Sequence, residues 1–343
     1  MFEINKLVRE NIKHLTPYSC ARDDYKGGTG VFLDANENPF GNLNRYPDPY
    51  QHNLKAAICR IKEVNEESVF LGNGSDEIID LCFRIFCYPG VDKALVFPPT
   101  YGMYEVSASI NDVAVIKVPL NNDFQINIKE VEPFFKDETL KLIFVCSPNN
   151  PTGNCMDHDD IEYIIQNFNG MVLIDEAYID FCNKPSFIDK IRRYPNLIVM
   201  RTFSKALGLA AVRIGIAFSD PDVIQYFNRI KLPYNISTIN QEAALDKLAD
   251  GTVIRNQVAE IKNERERLKN ELIKLKITEI VYLSDANFLL VRVKDANYTY
   301  NYLVNNGIIV RNRSSSVDNC LRITVGTRNE NDKLLNALKT MTL

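Results

Sequence analysis

With 343 residues, 40 Lys plus Arg against 44 Asp plus Glu and a formal charge of −4, the chain has room for one large and one smaller domain. It lacks the broad basic field that would attract nucleic acid or an anionic membrane surface, and its apolar runs are strand-sized, far short of the ~20 residues of a membrane helix. The three histidines, at 14, 52 and 158, are too far apart for an HExxH or Cys/His zinc pattern, so no metal is expected and acid–base work falls to Lys, Tyr, Asp, Glu or a cofactor.

Residues 1–15 interleave charge with apolar side chains and lack the continuous hydrophobic core of a secretory signal, which predicts a short amphipathic helix heading an N-terminal arm, 1–30. Eight scattered cysteines without a CxxC pair predict reduced thiols and a cytoplasmic protein. From about 69 to 218, apolar runs at 94–97, 114–118, 142–146, 171–174, 197–200 and 214–218 alternate with helix-like segments. That alternation predicts an α/β domain, 31–250, with a mostly parallel sheet covered on both faces and its ligand at the carboxyl ends of strands. Residues 255–276, rich in Glu, Lys, Arg and Leu and free of Gly and Pro, predict the strongest helix. Strands at 287–293, 308–311 and 321–325 with a helix near 298–306 complete a small α+β domain, 251–343, packed with the arm.

Four motifs carry candidate chemistry. Gly72-Asn73-Gly74-Ser75-Asp76-Glu77 opens an apolar helix whose free N–H groups and dipole suit an anion, although a plain helix start capped by Ser75 also accounts for it. Cys146-Ser147-Pro148-Asn149-Asn150-Pro151-Thr152-Gly153 follows an apolar run, where an Asn amide could reach a ligand or simply shape a turn. Leu173-Ile174-Asp175-Glu176-Ala177-Tyr178 puts an acid and a phenol three residues apart, and a cap or turn is the alternative. Thr202-Phe203-Ser204-Lys205-Ala206-Leu207-Gly208-Leu209, followed by Arg213, surrounds a lysine with hydroxyls and apolar residues; a snorkelling lysine is the bland reading.

In this order, with Tyr101 of Pro98-Pro99-Thr100-Tyr101-Gly102 between the first two, the motifs resemble the active site of fold-type-I pyridoxal-phosphate aminotransferases. The resemblance implies a mostly parallel seven-stranded sheet in the large domain, pyridoxal 5'-phosphate held covalently by Lys205, and Lys205, Asp175 and Tyr178 as catalytic residues. It places Asp175 by the pyridine nitrogen, Tyr178 and Asn150 on the ring hydroxyl oxygen, and Tyr101 against the ring. The phosphate takes the Gly74 and Ser75 amides, Thr202 or Ser204, and Arg213. The residue types suit the chemistry. An acid beside the ring nitrogen keeps it protonated, and a lysine that must lose its proton is helped by burial and a nearby cation.

Further stretches, Leu33-Asp34-Ala35-Asn36-Glu37-Asn38-Pro39-Phe40-Gly41, Arg45-Tyr46-Pro47-Asp48-Pro49, residues 98–104 and Leu321-Arg322-Ile323-Thr324-Val325-Gly326-Thr327-Arg328, are similar to the histidinol-phosphate aminotransferases, over about residues 17–330. That likeness implies a homodimer in which Tyr46 reaches the partner's cofactor phosphate, although Tyr46 also reads as a plain turn aromatic. Tyr18, Asn36, Tyr46, Arg311 and Arg322 would bind substrate, Arg322 taking its acid end as a planar guanidinium can; Asn287 has the weakest case. The implied reaction is transamination between L-histidinol phosphate and 2-oxoglutarate in L-histidine biosynthesis. An aromatic-amino-acid aminotransferase or a threonine-phosphate decarboxylase shares the constellation, and a phosphate-ligand binding protein would need only the 72–77 helix start and Arg213. The stretch 312–320 is idiosyncratic and leaves its substrate contacts open.

Overall fold

The computed structural model describes residues 3–21 and 30–341. Seven strands, β1 (Val69–Asn73), β2 (Lys93–Val96), β3 (Ala114–Lys117), β4 (Leu140–Cys146), β5 (Met171–Asp175), β6 (Leu197–Thr202) and β7 (Ile214–Ser219), form one sheet in the order β1-β7-β6-β5-β4-β2-β3. Neighbours are parallel except at β7, which lies antiparallel between β1 and β6. The central strands are largely apolar because each face of the sheet is covered and successive side chains alternate between faces. Val172, Ile174, Leu197 and Val199 enter one core, while Leu173, Ile198 and Met200 enter the other.

The helices are α1 (Glu10–Lys13), α2 (His52–Lys62), α3 (Ser75–Phe86), α4 (Met103–Ile110), α5 (Ile128–Val131), α6 (His158–Asn167), α7 (Pro221–Ile230), α8 (Thr238–Ala249), α9 (Gly251–Leu272), α10 (Ala296–Asn305) and α11 (Arg328–Thr340). Helix α3 buries Ile78, Ile79, Leu81, Cys82, Phe83, Ile85 and Phe86, and its first-turn Asp76 and Glu77 complement the positive end of its dipole. A second sheet, β10-β11-β9-β8, is antiparallel and consists of β8 (Thr278–Val281), β9 (Phe288–Val293), β10 (Arg311–Asn312) and β11 (Cys320–Thr324). Leu289, Val291, Leu321 and Ile323 pack there against Leu268 and Leu272 of α9 and Leu334 and Leu335 of α11. A reciprocal cap between Thr327 and Glu330 fixes the start of α11. Among the described residues no helix is long and apolar enough to cross a membrane.

Three expectations shift. The N-terminal helix is broken into a 3-10 turn, Ile4–Lys6, and the four-residue α1, because Arg9 is extended and its N–H pairs with the Ile85 carbonyl; Val8 and Ile12 bury against the sheet's core instead. The expected strand 308–311 shrinks to β10, since the N–H groups of Gly307 and Ile308 fold back onto the carbonyls of Val304 and Leu303 to close α10. The long helix starts at Gly251 rather than 255, where the Asp250 carboxylate accepts from the Val253 N–H.

Candidate active site

Two antiparallel steps through β7 restore direction, so β1 points the same way as β4, β5 and β6. Residues beyond the carboxyl ends of these strands therefore meet at one edge of the sheet, and the start of β7 joins them there. Ser75, Asn150, Asp175, Lys205 and Arg213 emerge at that edge and line a cavity of about 270 Å³ with Tyr101, Tyr178, Thr202, Ser204 and Arg322.

Asp175, the last residue of β5, is buried and accepts hydrogen bonds from the Tyr104 hydroxyl at 2.7 Å and the Ala177 N–H at 3.0 Å. Burial pushes its carboxyl up to about 6, against the pull of those two donors and of Lys205. A carboxylate kept out of water in this way is stabilised by a cationic neighbour. Tyr104, wholly buried and stacked on Phe144 at 4.9 Å, was invisible as a site residue in the sequence because its helical position reads as core.

Lys205 sits three residues past β6 in a loop fixed by the buried Phe203 and Ala206 and by the Gly208 N–H donating to its carbonyl at 3.1 Å. It is half-buried, with Nζ 5.7 Å from the centre of the Tyr178 ring. Burial first, then Arg322 and Arg213, lower its pKa, while Asp175 and Asp76 oppose them. In such a setting the amine gives up its proton more readily than a lysine in water does. Tyr178 is buried edge-on to Phe288 at 5.1 Å, and its hydroxyl has no hydrogen-bond partner among the described residues.

The opposite end of the cavity is built for an anion. Gly74, at φ 80°, is the N-cap of α3, and Ser75 is its first residue rather than its cap. The Gly74 N–H donates to the Gly72 carbonyl at 2.8 Å, so the donation expected of this amide goes elsewhere; what Gly74 contributes is room. A Cβ here would lie 2.6 Å from the Arg213 guanidinium, and one on Gly215 would lie 2.5 Å from the Gly74–Ser75 backbone. Arg213, itself at φ 54°, faces one Asp76 oxygen at 3.5 Å while the Tyr101 hydroxyl donates to the other at 3.1 Å. Asp76 thus aligns both, a role its place in the helix-start motif left unread. The Thr202 hydroxyl accepts from the Ser204 N–H at 3.1 Å. A helix N-terminus, a guanidinium, two hydroxyls, an aromatic wall, a buried carboxylate and a half-buried lysine together fit a planar, phosphate-bearing heteroaromatic aldehyde.

From the second sheet, Arg322 of β11 donates to the Asn150 side-chain oxygen and lies over the Phe288 ring at 5.4 Å. Arg311 is exposed on β10, outside the cavity lining but in register with Arg322. Arg313 joins them: burial, then Arg322 and Arg311, lower its pKa, and its buried Nε has no partner among the described residues. The unfamiliar 312–320 stretch concealed this third arginine. Asn287 lies just before β9 with its carbonyl accepting from the Val325 N–H at 2.9 Å.

Three expected residues lie elsewhere on the chain. Asn36 and Tyr46 line a separate cleft of about 470 Å³ shared with Ser237, Thr238 and Ile239, and Tyr46 stacks on Tyr234 at 4.4 Å. Tyr18 is exposed beside Tyr50, Arg229 and Pro233.

A family model for aminotransferase class I and II matches residues 24–338. The chain belongs to this family. It is 49% identical, over 99% of both chains, to the histidinol-phosphate aminotransferase of Cytophaga hutchinsonii. Among solved structures, it superposes on the histidinol-phosphate aminotransferase from Clostridium acetobutylicum with a TM-score of 0.80 at 26% identity, covering 87% of this chain and 90% of that one. The Sinorhizobium meliloti histidinol-phosphate aminotransferase in complex with pyridoxal-5'-phosphate gives 0.79 at 26% identity, covering 89% and 88%. Membership agrees with the architecture: a seven-stranded, mostly parallel sheet with a small antiparallel sheet is the fold-type-I arrangement that the motifs implied.

Proposed function

We propose that this aminotransferase moves an amino group between L-histidinol phosphate and 2-oxoglutarate, giving imidazole acetol phosphate and L-glutamate in L-histidine biosynthesis, with pyridoxal 5'-phosphate held covalently by Lys205. The observation that carries the reading is one cavity that joins the depressed Lys205 amine, the buried Asp175 carboxylate and the Arg322 guanidinium. When bound, the cofactor supplies an electron sink for the carbanion left when the substrate Cα loses its proton. Asp175 holds the proton on the ring nitrogen, and Tyr104 and the Ala177 N–H keep its carboxylate aimed. Of the residues lining the cavity, Tyr178 and Asn150 would take the ring hydroxyl oxygen, Tyr101 would wall the ring, and Ser75, Thr202, Ser204 and Arg213 would hold the phosphate, with Gly74 giving the space. Lys205, whose proton is loosened by burial and its cationic neighbours, would serve first as the amine nucleophile and then as the group that moves the proton at the substrate Cα. Arg322 takes the anionic end of each substrate in turn, with Arg311 alongside.

Val31, Leu33, Phe40 and Leu43 are strongly exposed in the segment that carries Asn36 and Tyr46, and such a run of apolar side chains calls for cover. This supports a homodimer in which Tyr46 serves the partner's cofactor phosphate and Tyr18 and Asn36 serve substrate. A division into an arm to residue 30, a large domain to 250 and a small domain beyond it, and a cytoplasmic setting, complete the proposal. Turnover with 2-oxoglutarate should be high for histidinol phosphate and low for phenylalanine and threonine phosphate. Negligible turnover of histidinol phosphate would overturn the substrate assignment. Borohydride trapping followed by peptide mapping should place the phosphopyridoxyl mass on the Lys205 peptide; a mass elsewhere would overturn the cofactor assignment.

A further inference from the structure

Behind the cavity, outside its lining, Cys155 and Cys182 stand with their Sγ atoms 2.7 Å apart. They lie on the two loops that carry Asn150 and Tyr178. Cys155 closes the turn in which the Asn149 N–H donates to the Asn154 carbonyl at 2.8 Å, and Cys182 follows the 3-10 turn Ile179–Phe181. Asp285, from the segment before β9, locks the first loop: its carboxylate accepts the Cys155 N–H at 3.1 Å and its own N–H donates to the Gly153 carbonyl at 2.7 Å.

Two thiols and a carboxylate, all within 4.8 Å, suit either a metal ion or a redox pair. Distance decides between them. A tetrahedral zinc with Zn–S bonds near 2.3 Å spreads its sulfurs to about 3.8 Å and wants a fourth ligand. The cluster offers three among the described residues, and one Asp285 oxygen is already engaged by the Cys155 N–H. The observed separation is only ~0.7 Å longer than a disulfide bond of about 2.05 Å.

We propose that Cys155 and Cys182 form a reversible disulfide, with Cys182 as the attacking thiol. Cys182 is half-buried and Cys155 buried, so Cys182 is the one a small oxidant reaches. Its contact with the Cys155 sulfur and the Lys184 N–H, which donates at 3.2 Å, lower its pKa against burial and the Asp285 charge. The same contact and burial push the Cys155 thiol up. The oxidant is a peroxide. The Cys182 thiolate attacks one peroxide oxygen, the O–O bond breaks, and hydroxide leaves behind a sulfenic acid. The Cys155 sulfur then displaces that hydroxyl, so the S–S bond forms as one water departs; overall two thiols and one hydrogen peroxide give a disulfide and two waters. A dithiol reductant reverses it.

The test uses the cofactor-loaded wild-type protein with one equivalent of hydrogen peroxide, then alkylation and peptide mapping. The expected result is a linked pair of peptides containing Cys155 and Cys182, formed before any other cysteine reacts and abolished by dithiothreitol. Cys155→Ser should leave a Cys182 sulfenic acid that dimedone traps. Recovery of both cysteines as separately alkylated thiols while other cysteines oxidise would overturn the proposal. So would stoichiometric zinc in the purified protein whose chelation exposes both thiols.

Discussion

The strand-end cavity and the segment from residue 30 to 51 are both expected to touch the cofactor phosphate, yet they are built in opposite ways. In the cavity most side chains end or follow a strand or open a helix, Arg322 reaches in from within β11, and the groups hold one another: Tyr104 donates to Asp175, Arg322 to Asn150, and Tyr101 to Asp76. The 30–51 segment contains neither helix nor strand. Its shape rests on Glu37, whose buried carboxylate binds Arg45 at 2.6 Å and accepts the Tyr46 N–H at 2.6 Å, while Val31, Leu33, Phe40 and Leu43 face outward. The first region is completed by the chain's own packing. The second leaves those four apolar side chains uncovered within one chain.

The largest break in that comparison comes from the cavity. Lys205→Ala should lower turnover by ~10⁴-fold or more, because both the amine nucleophile and the proton carrier at Cα go. Unchanged circular dichroism with no borohydride-trapped adduct would confirm that chemistry, not folding, was lost. Asp175→Asn should cost ~10²–10³-fold in turnover, the scale of a lost preorganised charge.

Asp175 also makes a pH prediction for the cofactor-free chain. Its carboxyl is raised from 3.8 to about 6 by burial, so on raising the pH the unfolded chain gives up this proton first. The contribution to stability is therefore present below pH 4, falls between about 4 and 6, and stays lost above 6, a swing of about 3 kcal/mol. Denaturation curves of cofactor-free wild type and Asp175→Asn should diverge through that window, the variant lacking the step. Cofactor affinity should weaken as the pH falls below 6, since a protonated Asp175 offers no charge to the ring nitrogen. Arg322→Lys should be milder. Loss of planar, two-pronged binding should raise KM for both substrates by about 10- to 100-fold with kcat less affected, and equal losses in kcat would move Arg322 into the chemical step.

The same contrast explains what the sequence disclosed. Asp175, Lys205 and Asn150 could be expected at one edge because each lies at or within a few residues after an apolar run, and strand ends in a parallel sheet converge whatever the loops between them do. Tyr104 and Asp76 act through partners far along the chain, 71 residues away for Tyr104 with Asp175 and 137 for Asp76 with Arg213, so no local pattern marks them. Ile308 and Ile309 have the composition of a strand, yet the neighbouring helix takes the N–H of Ile308 and leaves Ile309 in solvent. Tyr46 is legible as a site residue only through resemblance. Within one chain its ring packs on Tyr234 in a different cleft.

Whether Tyr46 crosses to a partner can be decided by crossing two variants. Tyr46→Phe alone removes one hydroxyl and should weaken cofactor binding about tenfold, the worth of a single hydrogen bond to a charged group. In a hybrid dimer with one Lys205→Ala chain and one Tyr46→Phe chain, only the site bearing the intact Lys205 can turn over. If Tyr46 acts across the interface, that site receives the native tyrosine of the Lys205→Ala chain, and its activity saturates at the wild-type cofactor concentration. If Tyr46 acts within its own chain, the same site carries phenylalanine and saturates at about tenfold more. Differently tagged chains, purified through both tags and titrated with cofactor, give one curve or the other; the curve shifted by the phenylalanine would show the 30–51 segment to be built for its own chain after all.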